Sequence, residues 1–348
     1  MKKIRLLIVE DSPTVCVYLG LIFAEYDDIE IVAVAKNGRE GINFTIDFRP
    51  DIVLMDLHMP EVDGFAATHE IMSRCPTPII IITATGDPQD KFLSIKALEC
   101  GAVGLLEKPA GLNHGNSKKQ VTHLINHIRA LSDVKTVQFR RKYKTHQKKD
   151  LEREIKRTHS IIAIATSTGG PQALAKILTN LDDTFPLPIL LVQHIAPDFA
   201  NGFAEWLQSV TKLKVIVAKG GERIYSGKVY LCTNDSHIGI TSNERIFLSS
   251  SPAINGFRPS ANYLFESVGR ALGDKSLALI LTGMGNDGIK GLTSLKQAGG
   301  YVVAQDESSS VVFGMPKAAI DANLADDIFE LNEIAQWLHQ MQNERNDA

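Results

Sequence analysis

Short apolar runs separated by helix-length segments constrain this chain more than any other feature. They come in two series, divided by a strongly basic stretch. Residues 4–9, 29–34, 52–55, 79–82 and 102–106 form the first series, and 161–165, 188–192, 215–218, 229–232 and 277–281 the second. The runs are apolar almost throughout, as strands buried on both faces are. Strands alternating with helices fold into parallel sheets covered on both sides, so the pattern predicts two doubly wound α/β domains. A chain of 348 residues has room for both, each with its own core.

Between the series, residues 133–157 carry ten Lys or Arg against four Asp or Glu, a local balance of +6. So few apolar residues cannot build a core, and the stretch reads as a solvated linker with some helix near 151–157. A nucleic-acid contact is the other use of such a run, but no helix-turn-helix pattern adjoins it. The expected division is therefore a five-stranded domain over 1–131, a basic linker over 132–159 and a second α/β domain over 160–348. A formal net charge of −3 gives no bulk attraction to nucleic acid. The N-terminal apolar run is too short for a signal peptide, and nowhere do ~18 apolar residues follow one another, so a cytoplasmic protein that is not a membrane protein is expected. Cys16, Cys75, Cys100 and Cys232 form no C-x-x-C pair. They are expected to be reduced core thiols, with neither zinc nor disulfides.

Open α/β sheets bind ligands at the carboxyl ends of their strands. In the first series Glu10 and Asp11 follow the first run, Asp56 the third, Thr83 the fourth, and Lys108-Pro109 the fifth. Three gathered carboxylates repel one another unless a hard cation sits among them, and oxygen ligands suit Mg²⁺. Lys108 and Thr83 can each serve a phosphoryl oxygen, which leaves Asp56 as the nucleophile that becomes an aspartyl phosphate. Ser12-Pro13 reads as an N-cap followed by proline at the first helical position.

In the second series the run ending at Ala165-Thr166 breaks at Ser167-Thr168-Gly169-Gly170-Pro171, which predicts a strand turning sharply into a helix that ends near Leu178. Ala165 to Gly169 approximates the G-x-S-x-G nucleophile elbow, with Ala165 in place of the first glycine. A helix opening there would aim N–H groups and its positive end at Ser167. His159, His194 and His237 are the candidate bases. His194 ends a run predicted to pair beside the strand of Ser167, whereas His237 better suits a role in shaping the pocket. The run 277–281 leads into Thr282-Gly283-Met284-Gly285-Asn286-Asp287-Gly288, whose single acid, Asp287, could orient His194.

Two resemblances follow from these residues. Val9-Glu10-Asp11-Ser12, Asp56 within Pro50 to Pro60, Asp63-Gly64, Thr83-Ala84 and Lys108-Pro109 resemble the receiver domains of two-component response regulators. This implies Mg²⁺-dependent phosphotransfer from a histidine kinase onto Asp56. Where many receivers place an aromatic before the lysine, this chain has Val103-Gly104-Leu105-Leu106. Ala165 to Pro171, Gln193-His194-Ile195, Phe257-Arg258-Pro259-Ser260 and Leu281 to Gly288 resemble the catalytic domain of chemotaxis protein-glutamate methylesterases, the CheB family. The likeness implies Ser167 as nucleophile, His194 as general base, Asp287 as orienter, and Thr168 and Met284 as oxyanion donors. It also implies hydrolysis of glutamate methyl esters on chemoreceptors with release of methanol, often with deamidation of receptor glutamines, and no cofactor for the esterase step. Cys232 to His237 and Ala261-Asn262 depart from the family near the substrate pocket. A phosphorylation-controlled binding module without catalysis is the rival class. The unphosphorylated receiver is expected to cover the active-site edge.

Overall fold

The computed structural model describes residues 3–83, 97–98, 100–109, 117–132, 159–195, 199–232 and 236–346. The basic stretch, Ala84 and the departure at 233–235 lie outside them. The chain divides into two compact units, Met1–Gln138 and Phe139–Ala348.

In the first unit β1 (Ile4–Val9), α1 (Pro13–Ala24), β2 (Ile29–Ala35), α2 (Gly38–Phe48), β3 (Ile52–Asp56), α3 (Gly64–Arg74), β4 (Ile79–Thr83), β5 (Gly104–Glu107) and α4 (Ser117–Leu131) follow in order. The strands form one parallel sheet in the order β2-β1-β3-β4-β5. Every residue of β3 and β4 is buried, as uninterrupted apolar runs predict. Asn37 and Asp63 cap α2 and α3 by accepting the N–H of Glu40 and Ala66. Pro13 does open α1, but the Ser12 side chain makes no capping bond there.

The second unit runs β6 (Ile161–Thr166), α5 (Gly170–Leu178), β7 (Ile189–Gln193), α6 (Ala200–Val210), β8 (Lys214–Val217), β9 (Lys228–Leu231), β10 (His237–Ile240), β11 (Ile246–Ser249), α7 (Ala261–Leu272), β12 (Ser276–Ile280), α8 (Ile289–Gln297), β13 (Tyr301–Gln305), α9 (Met315–Asp321), β14 (Asp327–Phe329) and α10 (Leu331–Asn346). Seven strands pair in parallel in the order β14-β13-β12-β6-β7-β9-β8, and β10 and β11 form a separate antiparallel hairpin. From β6 the chain builds outward first through β7 and later on the other side through β12, so the crevice between them is a topological switch point. The five runs predicted in this half match β6, β7, β8, β9 and β12 to within a residue at each end.

Cys75 and Cys232 are buried, whereas Cys16 and Cys100 are half-buried and so lie outside the expected core; all four are free thiols. No helix among the described residues is long and apolar enough to cross a membrane.

Candidate active site

Two clusters of reactive side chains sit at strand ends, one in each unit. In the first, Lys108 Nζ lies 2.8 Å from Glu10 Oε2 and 3.0 Å from Asp56 Oδ2. Asp56 Oδ1 accepts the Leu57 N–H at 2.8 Å, so the other oxygen faces the lysine. Glu10, Asp11 and Asp56 each bring a carboxylate oxygen within 4.8 Å of the others, an all-oxygen donor set that fits a hard divalent cation. Burial pushes the Glu10 and Asp56 carboxyls above their ordinary range, although Lys108 pulls each the other way. Burial alone would depress the Lys108 ammonium, but Glu10 and Asp56 hold it above its usual value. Thr83 is buried at the end of β4, and Asp11 is exposed. The register of the parallel sheet thus gathers all the residues singled out in the first series on one edge.

The second cluster is built around the end of β6. The Ser167 N–H donates to Thr282 O and the His194 N–H to Thr166 O, both at 3.0 Å, which stitches the turns after β12 and β7 to that strand. Thr166 Oγ1 donates to Thr282 O, and Thr282 Oγ1 to Thr168 O, each at 2.9 Å. Gly169 enters α5 with φ of 77°, a left-handed turn that glycine adopts without strain. A side chain there would lie 2.5 Å from Val311 Cβ.

His194 Nε2 lies 2.9 Å from Asp287 Oδ2. Asp287 is almost wholly buried and is also bound by Ser260 Oγ at 2.7 Å, Ala261 N at 2.6 Å and Asn262 Nδ2 at 2.6 Å. These are the cap and first turn of α7, whose dipole favours a negative charge. Burial would raise the Asp287 carboxyl, but the bond to His194 and those from Ser260 and Ala261 outweigh it and hold the group below its ordinary range. An ionised Asp287 fixes the imidazole proton on Nε2 and leaves the lone pair on Nδ1, which is buried with no hydrogen-bond partner among the described residues. The ring edges are thus used the other way round from the Ser-His-Asp template, where the aspartate takes Nδ1. One face of the ring is covered by Phe257, stacked at 4.1 Å and 13°. Phe257 is delivered by a tight turn in which Asn255 and Gly256 both have positive φ.

Ser167, 8 % exposed, follows Thr166, whose carbonyl receives the His194 N–H, and among the described residues no hydrogen bond joins its hydroxyl to His194. The Thr168 and Met284 N–H groups likewise donate to nothing described. His237 is fully buried: Nδ1 accepts the Ser260 N–H, Nε2 faces Pro252 O, and the ring stacks on Tyr263. It shapes the wall behind the α7 cap. His159 is buried at the opposite end of β6.

Sequence reasoning missed Asn262 as a donor to Asp287, Phe257 as the ring's cover, and Gln193, whose Nε2 reaches both Ser167 O and His194 O. Asn262 and Phe257 stand in or beside motifs quoted above, and their spacing from Asp287 and His194 carries no local signal.

Residues 6–118 match the response regulator receiver domain family, and residues 162–338 match the CheB methylesterase family. A Methanospirillum hungatei JF-1 protein named protein-glutamate methylesterase/protein-glutamine glutaminase 2 is 38 % identical over 98 % of this chain and 99 % of its own. A Myxococcus xanthus DK1622 protein, protein-glutamate methylesterase/protein-glutamine glutaminase 4, is 39 % identical over 96 % of each. The crystal structure of the Thermotoga maritima CheB methylesterase catalytic domain superposes with a TM-score of 0.51 at 39 % identity, covering 53 % of this chain and 98 % of that one. Near-complete coverage of relatives that share both matched regions leads to one assignment: the chain belongs to the CheB protein-glutamate methylesterases, with a response regulator receiver domain ahead of the methylesterase domain.

Proposed function

We propose that the chain hydrolyses glutamate γ-methyl esters on chemoreceptors, releasing methanol, under control of phosphorylation at Asp56. The observation that carries the catalytic part is the buried His194–Asp287 pair, with Nδ1 left unpartnered among the described residues and the His194 N–H bonded to Thr166 O, the residue before Ser167. In this reading His194 Nδ1 removes the Ser167 proton as Oγ attacks the ester carbonyl. The Thr168 and Met284 N–H groups receive the oxyanion, each such donor being worth about 3 kcal/mol. The tetrahedral adduct collapses, the imidazolium returns the proton to the leaving methoxide, and the acyl-enzyme is cleaved when His194 takes a proton from water. Asp287 stays ionised throughout and stabilises the imidazolium. A receptor glutamine side chain offers the same carbonyl with ammonia as the leaving group, so deamidation needs no further machinery.

In the receiver, Asp56 Oδ takes the phosphoryl group from a histidine kinase, and Lys108 and Thr83 receive its oxygens. Glu10, Asp11 and Asp56 would hold Mg²⁺, which supplies charge neutralisation for the transfer. The 1–131, 132–159 and 160–348 division serves this reading as switch, linker and catalyst in a cytoplasmic enzyme acting at membrane-bound receptors. Phosphorylation shifts the population toward the active arrangement.

Methanol release from methylated receptor membranes tests both parts. Wild type should release methanol, Ser167→Ala should not, and a small phosphodonor with Mg²⁺ should accelerate wild type but leave Asp56→Ala unchanged. Release by Ser167→Ala would overturn the serine mechanism. Equal stimulation of Asp56→Ala would overturn the switch.

A further inference from the structure

The amide of Gln193 ties together the two turns that carry Ser167 and His194. Gln193 is the last residue of β7, paired in register with Thr166, the last of β6, and only 6 % exposed. Its Nε2 donates to Ser167 O at 2.9 Å and to His194 O at 2.8 Å. Rotating the amide by half a turn would set Oε1 against two carbonyl oxygens, so its orientation is fixed by its partners. The cost is visible at the other end, where Oε1 is buried without a hydrogen bond among the described residues. It fills the space above Gly170, where a Cβ would lie 2.1 Å away. An unsatisfied buried acceptor calls for a compensating role.

That role follows from peptide geometry. A trans peptide is planar, with its C=O and N–H pointing in opposite directions. Ser167 O and Thr168 N–H belong to one such unit, so holding the carbonyl inward aims the N–H outward. Ser167 O is held by Gln193 Nε2 and by Gly170 N, the latter at 2.9 Å. The Gly283–Met284 unit is built the same way. Gly283 O accepts from Gly314 N at 3.1 Å and Met315 N at 2.8 Å, and the Met284 N–H is left without a described partner. Each oxyanion donor proposed above therefore sits in a peptide whose carbonyl is pinned by two donors. Among those four donors, Gln193 is the one that belongs to a side chain.

We infer that Gln193 is a positioning residue that presets the Thr168 N–H for the oxyanion and fixes the His194 turn relative to it. The inference rests on the esterase reading. Gln193→Leu keeps the bulk and loses the donor, and Gln193→Glu keeps the shape but faces both carbonyls with acceptors. In the full-length protein both should lower kcat about 100-fold, the loss expected when one oxyanion donor is misplaced, with KM within about twofold. Affinity for a trifluoromethyl ketone analogue of the glutamate ester, whose tetrahedral hemiketal with Ser167 Oγ places its oxygen where the oxyanion forms, should fall in parallel with kcat/KM. Independently of turnover, the Thr168 amide resonance in protein labelled with ¹⁵N-threonine should move in both variants while thermal unfolding stays cooperative.

Unchanged kcat in both variants, or an unmoved Thr168 resonance, would overturn the inference. A loss carried by KM with analogue affinity intact would reassign Gln193 to substrate binding and equally overturn it. Ser167→Ala runs alongside: if that variant is active the hydrolase reading fails, whereas if it is dead and the Gln193 variants are normal, only the clamp fails.

Discussion

At the scale of single residues, the charge states differ between the two clusters because their donors differ. Asp287 is buried yet depressed, since His194 and the α7 cap bind its charged form. A depressed carboxylate contributes stability that is present above its unfolded value, about 3.9, and is lost as pH falls through the folded one. Asp287→Asn should therefore be less stable than wild type at neutral pH, with the gap closing below about pH 4 in pH-dependent urea unfolding. The same variant should lose ~10⁴-fold in kcat for methanol release, because its amide cannot hold the imidazole tautomer. Asp56 and Glu10 show the opposite sign. Their raised carboxyls favour the protonated form, so the stability they allow is present at low pH and is lost as pH rises through the folded value. A divalent cation relieves that cost. Added Mg²⁺ should raise the melting temperature of wild type at neutral pH, and Asp56→Asn, already relieved of one buried charge, should start higher and respond little.

At the scale of elements, α7 and α8 are locked by glycines. A Cβ at Gly291 would lie 2.3 Å from Asn262 O, and one at Gly269 would lie 2.6 Å from Leu295 Cα. The same approach lets Asn262 receive the Gly291 N–H on Oδ1 while Nδ2 reaches Asp287. Gly291→Ala should cost ~1–3 kcal/mol by chemical denaturation and lower kcat through the displaced Asp287 loop. Strands such as β3, β6 and β7 were readable because a strand buried on both faces is apolar almost throughout, so their ends, and with them Asp56, Ser167 and His194, could be placed. Tyr301 to Ala304 of β13 is as long an apolar run as 215–218 and was missed nonetheless, whereas β14 has only three residues with Ile328 half exposed, so it does not stand out as an apolar run. The β10–β11 hairpin escaped for a similar reason, since β10 holds His237 and Gly239 among its four residues. Gln193 and Asn262 were illegible as site residues because a buried amide's role depends on carbonyls and carboxylates brought near it only by the sheet and the α7–α8 contact.

At the scale of the whole molecule, each unit has its own parallel sheet and its own cluster of reactive side chains at strand ends. A fragment spanning residues 159–346 should fold cooperatively by calorimetry and release methanol at a rate indifferent to phosphodonor, since it lacks Asp56. Because every strand of the seven-stranded sheet points the same way, its reactive loops crowd one edge and the turns feeding the strands occupy the other. The turn between α9 and β14, with Asp321, Ala322 and Asn323 exposed, lies on that feeding edge. It is a place where a fluorescent reporter can be grafted into the catalytic unit while the chemistry at the far end of the strands goes on undisturbed.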